Sequence, residues 1–422
     1  MQSINTNVTD RYRKYVLWIL TLVYTFNFID RQILVILQEP IKESLQLSDT
    51  QLGWLTGFAF AIFYVTLGIP IARLADSGNR KNIVAISLSI WSAMTALSGM
   101  AQNFIHLLLV RVGVGVGEAG CSPPAHSIIS DYYPPEKRAT VLSIYSIGIY
   151  FGVFLGFIVG GIIGKTYGWR IALYSLGIPG ILFALVVYFT VKEPVKGLSD
   201  HEDSQKENNF WTTLNYLLSK KTFIYASLGL GFCTFTSFGT GNFFPAFLSR
   251  VHGLDIQQAG IILGICLGLG GMIGTFLGGY IADKNRSKSI KWYFWIGMIG
   301  AALALIPNTF IFFNSTLTIV VISIFLQVIF LNLCMGPTIA ASHSMVPSHM
   351  RALTSALLFF VLNTIGLGCG PLIVGYLSDF LTPQYGDFSL RYAFSVTYIT
   401  GIIAIIFFYL AAKQYHRDIL TY

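Results

Sequence analysis

The sequence predicts an all-α membrane protein of twelve transmembrane helices, built as two pseudo-symmetric six-helix bundles. Three observations carry that reading. Of 422 residues, 54% are hydrophobic and 11% charged, where a soluble domain carries about 25% charged residues. The apolar residues come in repeated runs of roughly twenty, the length a helix needs to cross about 30 Å of hydrocarbon. The second half also repeats landmarks of the first.

Hydropathy with turn and charge punctuation places the helices near 14–39, 51–75, 82–103, 105–131, 139–164, 170–191, 222–248, 256–282, 291–313, 316–345, 352–380 and 391–413. The first follows Arg11, Arg13 and Lys14, runs on too far for a cleavable signal and lacks a small-residue cleavage site, so it is expected to stay. Between the sixth and seventh lies the one long polar stretch, Lys192 to Lys221, with a candidate interfacial helix beginning at Phe210 and Trp211. The expected organisation is therefore an N-terminal bundle over 1–191, a cytoplasmic linker over 192–221 and a C-terminal bundle over 222–422. All five cysteines fall inside apolar segments and read as small packing residues rather than a disulfide framework.

The net charge of +8 would suggest a nucleic-acid partner on a soluble protein, yet the basic residues sit in short clusters between apolar runs. With both termini cytoplasmic, 20 of the 27 Lys and Arg fall inside, five outside (Lys42, Lys165, Arg170, Arg250 and Arg391) and two within spans. The positive-inside rule explains that distribution, and it points to a multi-pass protein of the inner (plasma) membrane with no nucleic-acid partner. The repeat can be read directly. Gln51, Gly53, Gly57 and Asp76 recur as Gln258, Gly260, Gly264 and Asp283 at a constant offset of 207, and Pro124, Pro134 and Arg138 recur as Pro337, Pro347 and Arg351 at 213. Repeats in the same sense place a substrate path at their interface, near the bilayer midplane.

Four ionisable residues lie deep in the spans: Asp30 and Arg31 in the first, Arg111 and Glu118 in the fourth. A charge in hydrocarbon costs about 2.5–3.5 kcal/mol, so each should face a partner or a wet cavity. Asp30 lies about 13 Å and Arg111 about 10 Å from the outer ends of their helices, so they can meet, while Arg111 and Glu118 are two turns apart on one face. The functional reading has Asp30 taking and releasing a proton, Arg31 and Arg111 holding it or an anionic group, and Glu118 as a second titratable partner. The alternative is a static, charge-neutral quartet that pins helices together. At the matching places of the second half stand Ile324 and Leu331, so the halves cannot handle ions equally.

Gly148, Gly152, Gly156, Gly160 and Gly164 recur every four residues in the fifth helix, and Gly260, Gly264, Gly268, Gly270, Gly274 and Gly278 stripe the eighth. Such stripes let helix backbones approach closely. Gly113-Val-Gly115-Val-Gly117 follows no strand and opens no new helix, and Gly160 to Thr166 is one residue short of a phosphate-binding loop, so ATP-driven transport has no support. His126 with Asp131 matches an acyltransferase spacing that also arises by chance, and His343 reads as a packed residue. With no catalytic cluster, an enzyme is not expected, nor any cofactor or metal.

The loop after the second helix carries Asp76, Arg80 and Lys81, echoed by Asp283 and Arg286. An acid at a helix's cytoplasmic end followed by cations can bond to neighbouring helix termini and lock one conformation. Positive-inside charge alone explains the cations but not the acids.

With these spans, repeat and loops the chain resembles the major facilitator superfamily, whose loop signature carries an acid, a glycine and basic residues. The first copy departs from it, with Ala72 for the leading glycine and Gly78 one place early, whereas Gly279 and Asp283 keep the family spacing. Asn27-Phe-Ile-Asp30-Arg31, and Arg111 through Glu118-Ala119 on to Asp131 and Arg138, resemble the spinster branch, which includes exporters of sphingosine phosphate and lysophospholipids. The resemblance implies proton-linked alternating access, with Asp30, Arg31, Arg111 and Glu118 as the coupling and binding group. The expected protein is a monomer that moves an amphipathic or anionic organic solute, such as a lysolipid or sphingolipid, with protons, by rocking of 1–191 against 222–422. A small-carboxylate symporter and a passive lipid scramblase or channel are the other readings.

Overall fold

The computed structural model describes residues 9–195, 210–347 and 350–419; the side chains at 69, 72, 73, 76, 77, 135, 139 and 352 fall outside the described set. Helix is the regular structure throughout these residues. Two compact units emerge, one of Met1–Leu45 and Ile62–Ser204, the other of Gln46–Ala61 and Gln205–Tyr422. Residues 46–61, expected with the N-terminal bundle, group here with the second unit.

In the first unit α1 (Asp10–Ile36) starts where the Thr9 hydroxyl accepts the Tyr12 amide, and it ends at Ile36, capped by Leu37, rather than at the expected residue 39. Pro40 explains the stop, because its ring clashes with the carbonyl four residues back and it donates no amide. After the short α2 (Gln38–Leu45), α4 (Ala59–Ser77) leads to α5 (Arg80–Ser98), whose Asn79 side chain caps the Asn82 amide. The expected fourth helix is two helices, α6 (Phe104–Glu118) and α7 (Ser122–Tyr132), broken at 119–121. Pro123 and Pro124 have no N–H for the carbonyls of Ala119 and Gly120, so the last turn of α6 tightens, with Cys121 N bonding Glu118 O at 3.1 Å. α8 (Pro135–Tyr167) and α9 (Trp169–Thr190) are joined by Gly168 at φ 86°, a left-handed conformation that favours glycine.

α8 packs along α1, and α9 and α6 pack on α5. The expected glycine stripe makes the first of these contacts: a Cβ at Gly152 would stand 2.6 Å from Phe28 Cβ and from Thr25 O, and one at Gly148 2.8 Å from Thr21 O. Lipid tails are as apolar as the helices, so close approach supplies the association that water would otherwise drive.

The second unit opens with α3 (Asp49–Gly53) and a wide π turn at Trp54–Phe58 that runs into α4. Then follow α10 (Phe210–Ser219), α11 (Lys221–His252), α12 (Ile256–Leu263), a π turn at Gly264–Leu269 and α13 (Gly270–Arg286). α14 (Trp292–Phe313), α15 (Leu317–Asn332), α16 (Met335–Ser344) and α17 (Arg351–Leu362) lead through a third π turn, Asn363–Cys369, to α18 (Gly370–Tyr385), α19 (Ser389–Ala393) and α20 (Val396–Asp418).

The internal repeat extends to local geometry. Ser48 with Gln51 and Asp255 with Gln258 form reciprocal capping boxes, each leading into a π turn. The break before α7 at Ser122 returns before α16 at Met335, again 213 residues on. Buried positions match as well, with Leu107, Arg111, Val114 and Glu118 of α6 answering to Val320, Ile324, Gln327 and Leu331 of α15.

Nine helical runs among the described residues are long and apolar enough to cross a membrane, and the last, Leu353–Asp418, holds two of the expected spans. The remaining expected spans, α5 and α11, are helices with more hydroxyl side chains. Several of those hydroxyls bond back to their own helices, as Thr95 does to Trp91 O, Thr234 to Leu230 O and Thr240 to Thr236 O.

Candidate functional site

The four intramembrane charges of the first unit converge. The break after Glu118 makes that residue the last of α6, and it turns its side chain to α1, where Arg31 Nε donates to Glu118 Oε2 at 2.6 Å. Neither group is well hydrated: the side chains are 15% and 0% exposed. The Arg31 guanidinium also lies 4.9 Å from the Phe28 ring centroid and 4.7 Å from that of Tyr64, so aromatic faces replace part of its water.

Asp30, one residue back, points elsewhere on α1. Its Oδ1 accepts from the Thr95 hydroxyl of α5 at 2.5 Å. Arg111, buried on α6, lies within charge-interaction range of Asp30 and of Glu118. With α1 ending at Ile36, Asp30 is six residues from the C-terminal end of its helix and Arg111 seven residues from the N-terminal end of α6, rises that differ by about 2 Å. Asp30 Oδ2, Glu118 Oε1 and Asn27 Nδ2 are buried and take part in no hydrogen bond with a described residue. Such atoms carry a desolvation cost that a proton, a water or a ligand would relieve.

At the other end of the unit Arg80 is nearly fully buried. Its guanidinium forms an ion pair with Asp131 of α7, donates to Ser127 Oγ at 2.8 Å and to Pro194 O at 3.0 Å, and its Nε meets Glu193 Oε1 at 2.6 Å. Lys81 adds its amide to Glu193 Oε2 at 2.9 Å and its ammonium to Tyr188 O at 2.9 Å. Sequence reasoning selected Arg80 and Lys81 but looked to Asp76 for the acid, and the side chain of Asp76 lies outside the described residues. Asp131 and Glu193 are the acids that hold Arg80. In the second copy Asp283 Oδ1 accepts from Tyr293 at 3.5 Å, and the Arg286 guanidinium lies 5.9 Å from the same ring.

A second charge network, in the second unit, was missed. Arg250, at the end of α11, donates twice to Asp49 at 2.7 Å, and Ser378 of α18 donates to Asp49 Oδ2 at 2.6 Å. Asp379 accepts the backbone amides of Asp49 at 2.9 Å and Thr50 at 2.7 Å, and the Thr50 hydroxyl at 2.5 Å. A carboxylate thus sits on the N-terminus of α3, where the helix dipole favours it. Close approach completes the contact: a Cβ at Gly53 would fall 2.5 Å from Pro371 O, and one at Gly57 2.8 Å from Leu367 O. These bonds are why 46–61 groups with the second unit. The available signal was Asp379 beside the end of an expected helix, an acid that positive-inside bookkeeping does not count.

The sequence matches the family profile described as Major Facilitator Superfamily over residues 20–363. It is 32% identical to an MFS-type efflux pump of Mycolicibacterium smegmatis, covering 99% of this chain and 98% of that protein. It is 24% identical to the hexuronate transporter of Bacillus subtilis, over 89% of each. Among solved structures it is similar to a bacterial homologue of the human lysosomal transporter spinster in an inward-facing, unoccupied conformation, with a TM-score of 0.91, 33% identity, and coverage of 98% of this chain and 100% of that one.

Proposed function

The chain belongs to the major facilitator superfamily, and on that premise we propose that it is a proton-coupled secondary active transporter of an amphipathic or anionic organic solute, working by alternating access. Family and fold are those of multi-pass membrane transporters, not enzymes. The observation that supports the coupling is the buried Arg31–Glu118 pair beside Asp30 and Arg111. With both carboxylates ionised the quartet is neutral. Protonating Asp30 or Glu118 leaves one positive charge in a poorly hydrated site, which favours an anionic group; an anion bound there favours the proton by the same factor. Asp30 and Glu118 thus carry the proton, and Arg31 and Arg111 hold the anionic end of the cargo. Asp76, Arg80, Lys81, Asp283 and Arg286 lock one conformation at the cytoplasmic side of the inner membrane, where both termini lie.

Similarity to the spinster homologue supports a lysolipid or sphingolipid as cargo, for which the Phe28 and Tyr64 rings beside Arg31 supply apolar surface next to charge. A small-carboxylate symporter is the second reading, supported by the hexuronate transporter among the relatives and by two guanidinium groups that suit a carboxylate. The test is flux into proteoliposomes of a labelled lysophospholipid and of galacturonate, with and without a pH gradient, for the wild type and Asp30→Asn. A monodisperse Asp30→Asn variant should lose gradient-driven accumulation of whichever probe the wild type accumulates. Undiminished gradient-driven flux in that variant would overturn the proton assignment, and equal flux with and without a gradient in the wild type would favour a passive scramblase or channel.

A further inference from the structure

The helix α10 has no part in the site or the locks, and its two faces differ. On one, Thr213 and Leu217 are buried, Leu217 within the apolar core that includes Phe223 and Leu230, and the Tyr216 hydroxyl donates to Met345 O at 3.3 Å. That face is docked on the second unit. On the other, Trp211 is 66% exposed and Leu218 54%, seven residues apart and therefore on one stripe, with exposed Asn215 between them.

Position relative to the bilayer follows from the chain. The Lys220 amide closes the last turn of α10 on Leu217 O at 3.0 Å, while the Lys220 carbonyl already accepts the Phe223 amide of α11 at 3.0 Å. A single residue therefore separates α10 from a helix read as a span, which puts the C-terminal end of α10 at the end of that span. At this junction Lys220 extends over the Tyr216 ring, 5.1 Å from its centroid, and Lys221 is exposed. Asp418 of α20, which reaches the same junction, accepts the Thr222 amide at 2.9 Å and so caps α11.

We propose that α10 lies in the membrane interface with Trp211 and Leu218 in the acyl boundary, and that Lys220 and Lys221 bind the headgroups of anionic phospholipids. An indole at headgroup depth buries its ring and keeps its N–H wet, which neither water nor hydrocarbon alone allows. A short amphipathic helix followed directly by cations, as Lys220 and Lys221 follow α10, draws anionic lipid by surface potential. The inference rests on the membrane-embedded fold and on α11 as a span, and it stands or falls independently of proton coupling.

The experiment compares tryptophan quenching by brominated acyl chains in wild-type protein and Trp211→Phe, reconstituted in phosphatidylcholine and in an equal mixture with phosphatidylglycerol, the bromine being carried on one lipid at a time. The fluorescence lost in Trp211→Phe reports Trp211. It should be quenched in both membranes and more strongly by brominated phosphatidylglycerol in the mixture. In Lys220→Gln/Lys221→Gln quenching should persist while the preference falls, by roughly fivefold for each lysine. A spin label at Asn215 gives the depth without altering Trp211 and should be more accessible to oxygen than to a polar nickel chelate. Accessibility to the chelate alone, or a Trp211 signal that bromine does not quench, would overturn the interfacial placement. A phosphatidylglycerol preference that survives the double substitution would overturn the role of the lysines.

Discussion

Arg31 and Glu118 meet at 2.6 Å where α1 passes the last residue of α6, and the proline-driven break after Glu118 is what frees that side chain to end the helix on a cation. A buried pair of this kind contributes little net stability compared with apolar packing, while removing one partner is costly.

Glu118→Gln should therefore cost about 3–5 kcal/mol at most, the upper end being reduced by the 15% exposure of Arg31. Arg31→Met combined with Glu118→Leu should recover most of that loss yet remain inactive in gradient-driven flux. Thermal unfolding in detergent alongside proteoliposome transport separates the two. Restored transport in the double variant would mean that the pair only holds helices together.

Arg111→Ala should weaken anionic cargo far more than neutral analogues of the same size, by roughly tenfold or more for loss of a charge-assisted contact. Binding of a lysophospholipid and of its uncharged monoacylglycerol counterpart, measured by calorimetry, checks this. Equal loss for both would assign Arg111 a structural role.

Asp379→Asn should loosen the start of α3, because the carboxylate that accepts the Asp49 and Thr50 amides would offer at most one neutral oxygen. Hydrogen exchange at those two amides should accelerate by roughly tenfold or more, as expected for a loss of 1.5–3 kcal/mol in charged hydrogen bonds. Arg250→Ala should act in the same direction by leaving Asp49 buried without its cation. Unchanged exchange in both would show that backbone packing at Gly53 and Gly57 alone holds the segment.

Gly152→Ala should destabilise the first unit by about 1–3 kcal/mol, since its Cβ would stand 2.6 Å from Phe28 Cβ and Thr25 O. Gly68→Ala in α4 meets nothing within 4 Å and should be neutral or stabilising by up to about 1 kcal/mol. Melting temperatures of the two variants, read side by side, decide whether the stripe or glycine in general matters.

The fold was legible because hydropathy, glycine spacing and repeat offsets are local and periodic properties: capping boxes at Ser48 and Asp255 reproduce the offset of 207 read from the chain. The quartet was legible because a charge in an apolar run is conspicuous, and Asp30 and Arg111 stand at similar rises from the ends of their helices. Contacts between segments distant in sequence were not. Nothing near Asp49 indicates that its partners are Arg250 and Asp379, and Glu193 sits in a polar stretch where an acid draws no notice. The breaks at Leu37 and after Glu118 needed the prolines to be read as terminators of the helices preceding them, not as features inside longer spans.

Ile324 and Leu331 occupy the buried places that Arg111 and Glu118 hold in the other repeat. In the proposed mechanism the proton is therefore handled by one repeat only. On that reading, substitutions on α15 are expected to alter cargo preference while leaving the proposed proton site intact.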